Sequence, residues 1–124
     1  MSSPFDALDT VIHAPKRLAA MAMLDVTGGT DFAFLREHLQ LSDSDLSKQM
    51  SALQAAGYVK VSKSGRGRGS RTTYTITRVG RAAYRRHRTA LVDLIGRAPT
   101  ETGSATSSQP GGDTAPIAAP RNGR

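Results

Sequence analysis

The apolar residues change their period at Gly57, and that change limits the fold more than any other feature. Before it, Leu46, Met50 and Leu53 recur at i, i+4 and i+7, the spacing of one face of an α-helix. After it, Tyr58-Val59-Lys60-Val61-Ser62-Lys63 alternates with the period of two of a half-buried strand, Val59 and Val61 on one side, Lys60 and Ser62 on the other. Gly57 sits where a helix C-terminal cap belongs. Ser42 opens the helix, and Asp45 three residues on resembles a capping box with Asp in place of the usual Glu. A glycine-rich loop, Gly65-Arg66-Gly67-Arg68-Gly69-Ser70, follows the strand. Arg71-Thr72-Thr73-Tyr74-Thr75-Ile76-Thr77 is then β-branched and aromatic, a second strand. A helix therefore feeds a β-hairpin.

The flanking segments read as helices. Phe5, Leu8, Val11 and Ile12 fall on one face at helical spacing. Pro15 opens a second helix at its first position, where a missing N–H is no loss. Leu18, Met21, Ala22 and Leu24 form its core side, and Gly28-Gly29 end it. Ala33 to Leu39 is a short third helix with Phe34, Leu35 and Leu39 as apolar contacts, and Asp31-Phe32 before it can pair briefly as a strand. The last helix starts near Arg78. Its apolar stripe is Val79, Ala82, Ala83, Ala90, Leu91, Leu94 and Ile95, with Arg81, Arg85 and Arg88 on another face. The predicted fold class is mainly α with a small β-hairpin (α+β), over residues 5–95. Residues 97–124 hold four of the six prolines and four of the twelve glycines, with Ile117 the only large aliphatic residue. Nothing there offsets the entropy of ordering a backbone, so 96–124 reads as a disordered Gly/Pro/Ser/Thr-rich tail.

Charge is as uneven as hydropathy. Net charge is +7, yet residues 1–47 hold seven acids against three bases. Residues 48–88 hold eleven bases and no acid. Such a block attracts a polyanion, most often nucleic acid or an anionic membrane surface. The longest apolar run, Leu18 to Leu24, is seven residues. A membrane-spanning helix needs about 20, so none is expected. The N-terminus has no basic segment leading into an apolar one, and a cytoplasmic protein is the default. With no cysteine, disulfides, thiolate metal sites and thiol nucleophiles are excluded.

Helix, tight turn, helix and hairpin make a winged helix-turn-helix, the second helix of the pair lying in the DNA major groove. At about 100° per residue, Ser44, Lys48 and Ser51 fall opposite Leu46, with Ser47 and Asp45 beside them. Small hydroxyls and one cation leave close approach to base edges open, and serine can donate or accept. Asp45 would repel phosphates and is assigned to the helix N-terminus, where the macrodipole favours it. In the loop, glycines let Arg66 and Arg68 approach a minor groove or backbone closely, flanked by Lys60, Lys63, Arg71 and Arg78 without an acid. The loop lacks the Lys-Ser/Thr pair of a nucleotide-binding loop, and a strand follows where a helix should.

These residues resemble the winged-helix regulators related to the MarR and ArsR groups. The resemblance lies in Val11-Ile12-His13-Ala14-Pro15-Lys16-Arg17-Leu18, in Leu41 to Leu53, in Ala55-Ala56-Gly57-Tyr58-Val59, in Arg71 to Thr77 and in Gly80-Arg81. It covers about three-quarters of the chain, outside the tail. It implies a homodimeric bacterial transcription regulator on a near-palindromic operator. By that resemblance Ser44, Ser47, Lys48 and Ser51 fall on recognition positions, and Arg66 and Arg68 on the wing.

One recognition helix reads few base pairs, whereas two copies about 34 Å apart read successive major grooves on one face. Phe5, Leu8, Ile12, Leu91, Leu94 and Ile95 are the candidate dimer surface. His13, His38 and His87 form no ligand cluster by spacing and read as core or surface histidines, with further basic surface as one reading of His87 among Arg85, Arg86 and Arg88. No paired carboxylates, catalytic Ser-His-Asp order or metal spacing stands out, so no enzyme and no cofactor is expected. Double-stranded DNA is the expected partner, with a protein-interaction winged helix or a structured-RNA binder as alternatives. A small-molecule effector stays open, without a pocket of convincing polar anchors.

Overall fold

The computed structural model describes residues 3–97, apart from 66, 68 and 69. The elements are a 3-10 turn at Pro4–Ala7, then α1 (Pro15–Thr27), β1 (Gly29–Asp31), α2 (Phe32–Leu39), α3 (Asp43–Ala55), β2 (Val59–Ser64), β3 (Arg71–Ile76) and α4 (Arg78–Gly96). The strands form an antiparallel sheet in the order β1-β3-β2. β3 is central: Thr75 faces Gly29 on one side and Lys60 on the other. The hairpin expected from the sequence is there, and the short pairing expected at Asp31-Phe32 is a third strand at Gly29–Asp31. The fold class holds.

The first predicted helix does not form. Pro4–Ala7 makes one 3-10 turn, and an irregular arm follows to Ala14. Asp9 accounts for this. Its carboxylate accepts from the amides of Val11 (2.9 Å) and Ile12 (3.1 Å), a local side-chain bond that competes with helix. A segment this short also gains too little to offset helix nucleation.

α1 begins at Pro15, and Gly28 caps its other end at φ 81°, where a left-handed residue is needed. Asp31 caps α2 by accepting from the Phe34 amide at 2.8 Å. Ser42 caps α3 in the same way, accepting from the Asp45 amide at 3.1 Å. Only this half of the expected capping box exists, because the Asp45 carboxylate is turned to Lys16 and Gln49. α3 ends in a Schellman arrangement. Tyr58 N–H donates to the Leu53 carbonyl (3.0 Å), Gly57 N–H to that of Gln54 (2.9 Å), and Gly57 has φ 82°. The change of period at Gly57 is thus a defined turn from helix to strand.

Inside the helices and sheet lie Ala20, Met21 and Leu24 of α1, Leu35 of α2, and Leu46, Met50 and Leu53 of α3. Val59, Tyr74 and Ile76 of the sheet and Ala83 and Tyr84 of α4 complete the core, together with Ile12. Ile12 is fully buried, so this expected dimer-surface residue belongs to the core of one chain. Two further expectations fail. Phe34 is 47% exposed and stacks on His38, and Val79 is 59% exposed. The inward line of α4 is Gly80, Ala83, Tyr84 and His87 instead. It includes a glycine because a Cβ at Gly80 would lie 2.1 Å from the Tyr58 carbonyl oxygen. α4 therefore crosses the start of β2 closely enough to exclude every side chain there.

Candidate nucleic-acid interface

α2, the turn at Gln40–Ser42 and α3 form the helix-turn-helix. Gln40 takes φ 55°, and the Arg36 carbonyl accepts from the amides of Gln40 and Leu41. Arg36 also spans the turn to Asp43 at 2.8 Å. α3 is held from behind by Leu46, Met50 and Leu53. Its opposite side carries Ser44, Ser47, Lys48 and Ser51, all exposed, at i, i+3, i+4 and i+7. They form one unobstructed row.

Two polar residues on the flank of α3 are held away from that row. The Asp45 carboxylate pairs with Lys16 and accepts from Gln49 Nε2 at 2.8 Å. Gln49 Oε1 accepts from Arg17 Nη1 at 2.9 Å. The bonds from Lys16 and then Gln49 hold the Asp45 carboxyl below its ordinary range. Of the two acids in the first turn of α3, Asp45 is thereby paired with the first turn of α1 and Asp43 with Arg36 of α2. Sequence spacing gave no sign of Lys16, Arg17 or Gln49, because α1 and α3 meet only in the folded chain.

The hairpin divides its cations between two faces. Lys63 continues the side of β2 that carries Val59 and Val61 and packs on α3. Arg71 pairs with Ser64 in register, on the other face, and its Nε lies 3.9 Å from Asp31 Oδ2. The structure thus brings the four α3 residues and Lys63 to one side of the sheet and Arg71 to the opposite side. Arg66 and Arg68 lie outside the described residues, as does the predicted tail beyond residue 97.

The α4 arginines behave differently. Asp25 of α1, its side chain 9% exposed, faces Arg81 and Arg85 at 3.2 Å and Arg88 at 3.9 Å. The acid-free block is therefore not one continuous positive footprint. Arg81, Arg85 and Arg88 clamp α4 to α1.

Of the two readings open for His87, core and basic surface, the structure shows the first: it is fully buried. Its Nδ1 accepts from the Asp9 amide at 3.0 Å, and its Nε2 lies 3.2 Å from His13 Nδ1. Two histidines that sequence spacing kept apart are thus in contact. Burial first, and then His13, hold the His87 ring below its ordinary pKa against the opposing pull of Asp9. Burial opposes the charge on Asp9, but the Tyr58 hydroxyl (2.5 Å) and the Ile12 and Val11 amides outweigh it and keep its carboxyl below the usual range. The bond to Asp9, with burial, raises Tyr58. Among the described residues, no group of three or more His, Asp or Glu side chains can hold a metal ion, and no helix is long and apolar enough to cross a membrane.

This architecture matches a family model described as winged helix DNA-binding domain over residues 16–95. The chain belongs to that family, and the resemblance read from its sequence to winged-helix regulators is borne out. Among solved structures it is similar to the transcriptional regulator homologue protein from Pyrococcus horikoshii OT3. That pair shares 26% identity over 71% of this chain and 87% of the other, with a TM-score of 0.67. It shares its fold with the YusO protein from Bacillus subtilis (14% identity, 81% of this chain, 72% of the other, TM-score 0.65). The PcaV transcriptional regulator from Streptomyces coelicolor has the same fold (19%, 81%, 72%, TM-score 0.61). No curated protein matches the sequence.

Proposed function

We propose that this chain is a transcriptional regulator that binds a near-palindromic operator in duplex DNA as a homodimer. Ser44, Ser47, Lys48 and Ser51 of α3 read the major groove. Lys63 and Arg71 at the hairpin, with Arg66 and Arg68 at its tip, contact backbone or minor groove. The observation that carries the reading is the exposed row on α3, backed by core, with the two acids of its first turn paired to Lys16 and Arg36. Hydroxyls there can donate to or accept from several base edges, and Lys48 reaches guanine or phosphate. The family, and the regulator homologue from P. horikoshii at 26% identity, support the same reading.

Dimerisation supplies the second half-site, about 34 Å away on the duplex. Phe5 (63% exposed) and Ile95 (66%), with Leu8, Leu91 and Leu94, supply apolar surface for it. Selection of bound duplexes from random DNA tests the whole reading. A palindrome whose half-sites are one helical turn apart is the expected result. Binding should weaken with salt at a log–log slope of about −0.9 per phosphate neutralised. Enrichment of no sequence, or salt-insensitive binding, defeats it.

A further inference from the structure

The arm between the 3-10 turn and α1 is neither helix nor strand, yet polar bonds grip it on two sides. Towards α4, the Asp9 amide donates to His87 Nδ1. An amide only donates, so that nitrogen is bare, and the proton of the neutral ring sits on Nε2. His87 therefore donates to His13 Nδ1 at 3.2 Å, and that nitrogen is bare too. Towards α3, the Val11 carbonyl accepts from Arg17 Nε at 2.5 Å, Arg17 Nη1 donates to Gln49, and Gln49 donates to Asp45. One chain of hydrogen bonds runs from α4 through the arm to the helix carrying the serine row.

Neither histidine can gain a proton without losing a contact. A proton on His13 Nδ1 sets two donors face to face, and one on His87 Nδ1 meets the Asp9 amide. Around the pair, Asp9 on the arm acts on His87, Tyr58 leading into β2 bonds Asp9, Arg86 of α4 acts on Tyr58, and Arg17 of α1 holds the arm at Val11. Asp9 alone favours a charged ring, and its oxygens are already taken by Tyr58, Val11 and Ile12. A metal ion would need a bare His87 Nε2, which moves the ring proton to Nδ1, where it meets the Asp9 N–H, so the same geometry disfavours a metal.

We propose that residues 9–13 are a positioning arm for α3, latched by the neutral His13–His87 pair and released when the pair takes up a proton, so that mild acid weakens duplex binding. The inference rests on α3 being the DNA-reading helix. It also runs against plain electrostatics, since added positive charge tightens binding to a polyanion.

The test is duplex affinity at fixed salt between about pH 7.5 and 5.5 for the wild type, His13→Gln and Arg17→Met. Protection of the Asp9 amide from exchange is followed in parallel without DNA. Gln at position 13 offers a carbonyl acceptor that does not titrate. Wild-type affinity should fall by about threefold or more in acid, while that of His13→Gln changes by less than about twofold. Arg17→Met should lose the pH dependence of binding while its Asp9 amide still loosens in acid. Matching profiles for wild type and His13→Gln, or tighter wild-type binding in acid, overturn the proposal. If no duplex binds at neutral pH, the DNA reading fails instead. The latch is then judged on the Asp9 amide, and protection indifferent to acid in the wild type overturns it.

Discussion

The cations of α3 and the hairpin and the cations of α4 come from the same acid-free stretch, yet they have different neighbours. Lys48 and Lys63 are exposed and belong to no ion pair among the described residues. Arg81, Arg85 and Arg88 converge on Asp25, a carboxylate 23 chain positions before the block begins. One set is available to a polyanion. The other is part of the scaffold that holds α4 on α1. Positive charge in a sequence is thus a statement about the field at a distance, whereas availability is a matter of which acid folding brings near.

Gly80→Ala should break the scaffold half of this contrast most severely. The added Cβ meets backbone at Tyr58, not a side chain that can move, and α4 must shift. The expected loss is about 3 kcal/mol or more, read as a lower denaturant midpoint. Asp25→Asn should come next. It leaves three guanidiniums without a carboxylate, and Arg81 Nε is already buried without a well-aligned hydrogen bond. Because the arginines are partly exposed, the cost is roughly 1–2 kcal/mol. The same variant should bind non-specific duplex more tightly, since the freed arginines join the available set. Unaltered stability in Asp25→Asn would erase the distinction between the two regions.

Acid should act on the scaffold as a slope. His87 and Asp9 both have folded pKa values below their ordinary ones, so protons favour the unfolded chain. The His87 contribution is whole above its unfolded value of 6.5 and is lost as pH falls from there through the folded value. The Asp9 contribution is whole above 3.8 and is lost as pH falls through its own folded value. Thermal melts across pH should therefore show a plateau above neutrality and a first decline in the histidine range.

Substitutions in the available set should spare stability and change binding. Lys48→Ala should cost about 1 kcal/mol of duplex affinity and reduce the salt slope by about 0.9 if Lys48 meets a phosphate. Titrations at several salt concentrations read both. Ser44→Ala should have the smallest effect, roughly 0.5 kcal/mol, appearing as relaxed preference at one base position in the selected sites.

Much of the fold is legible locally. Pro15 and Gly28 bound α1, Ser42 and Gly57 bound α3, and the alternation from Val59 sets the hairpin, because caps and periods are properties of a few adjacent residues. The outward row of α3 is legible for the same reason, since Leu46, Met50 and Leu53 fix which side faces the core. The reading fails where a residue's partner is remote in sequence. Phe5 to Ile12 has helical spacing, but the Asp9 carboxylate turns to the Val11 and Ile12 amides, and Tyr58 and His87, 49 and 78 positions away, hold Asp9 there. Ile12 reads as surface and is core. Val79 stands in the apolar stripe of α4 and is exposed, because the close crossing at Gly80 sets the buried line at Ala83, Tyr84 and His87.

Alone, the order of residues determined the bounds of α1, α3 and the hairpin, that a helix-turn-helix precedes a glycine-rich hairpin, and which side chains of α3 look outward. Those outcomes depend on backbone bonds and apolar spacing within one or two turns. Only the tertiary structure decided which arginines are neutralised, that Lys16 and Arg17 restrain Asp45 and Gln49, and that His13 and His87 share a hydrogen bond. Ion pairs and side-chain hydrogen bonds act over a few ångströms, so they depend on which distant segments the core brings together.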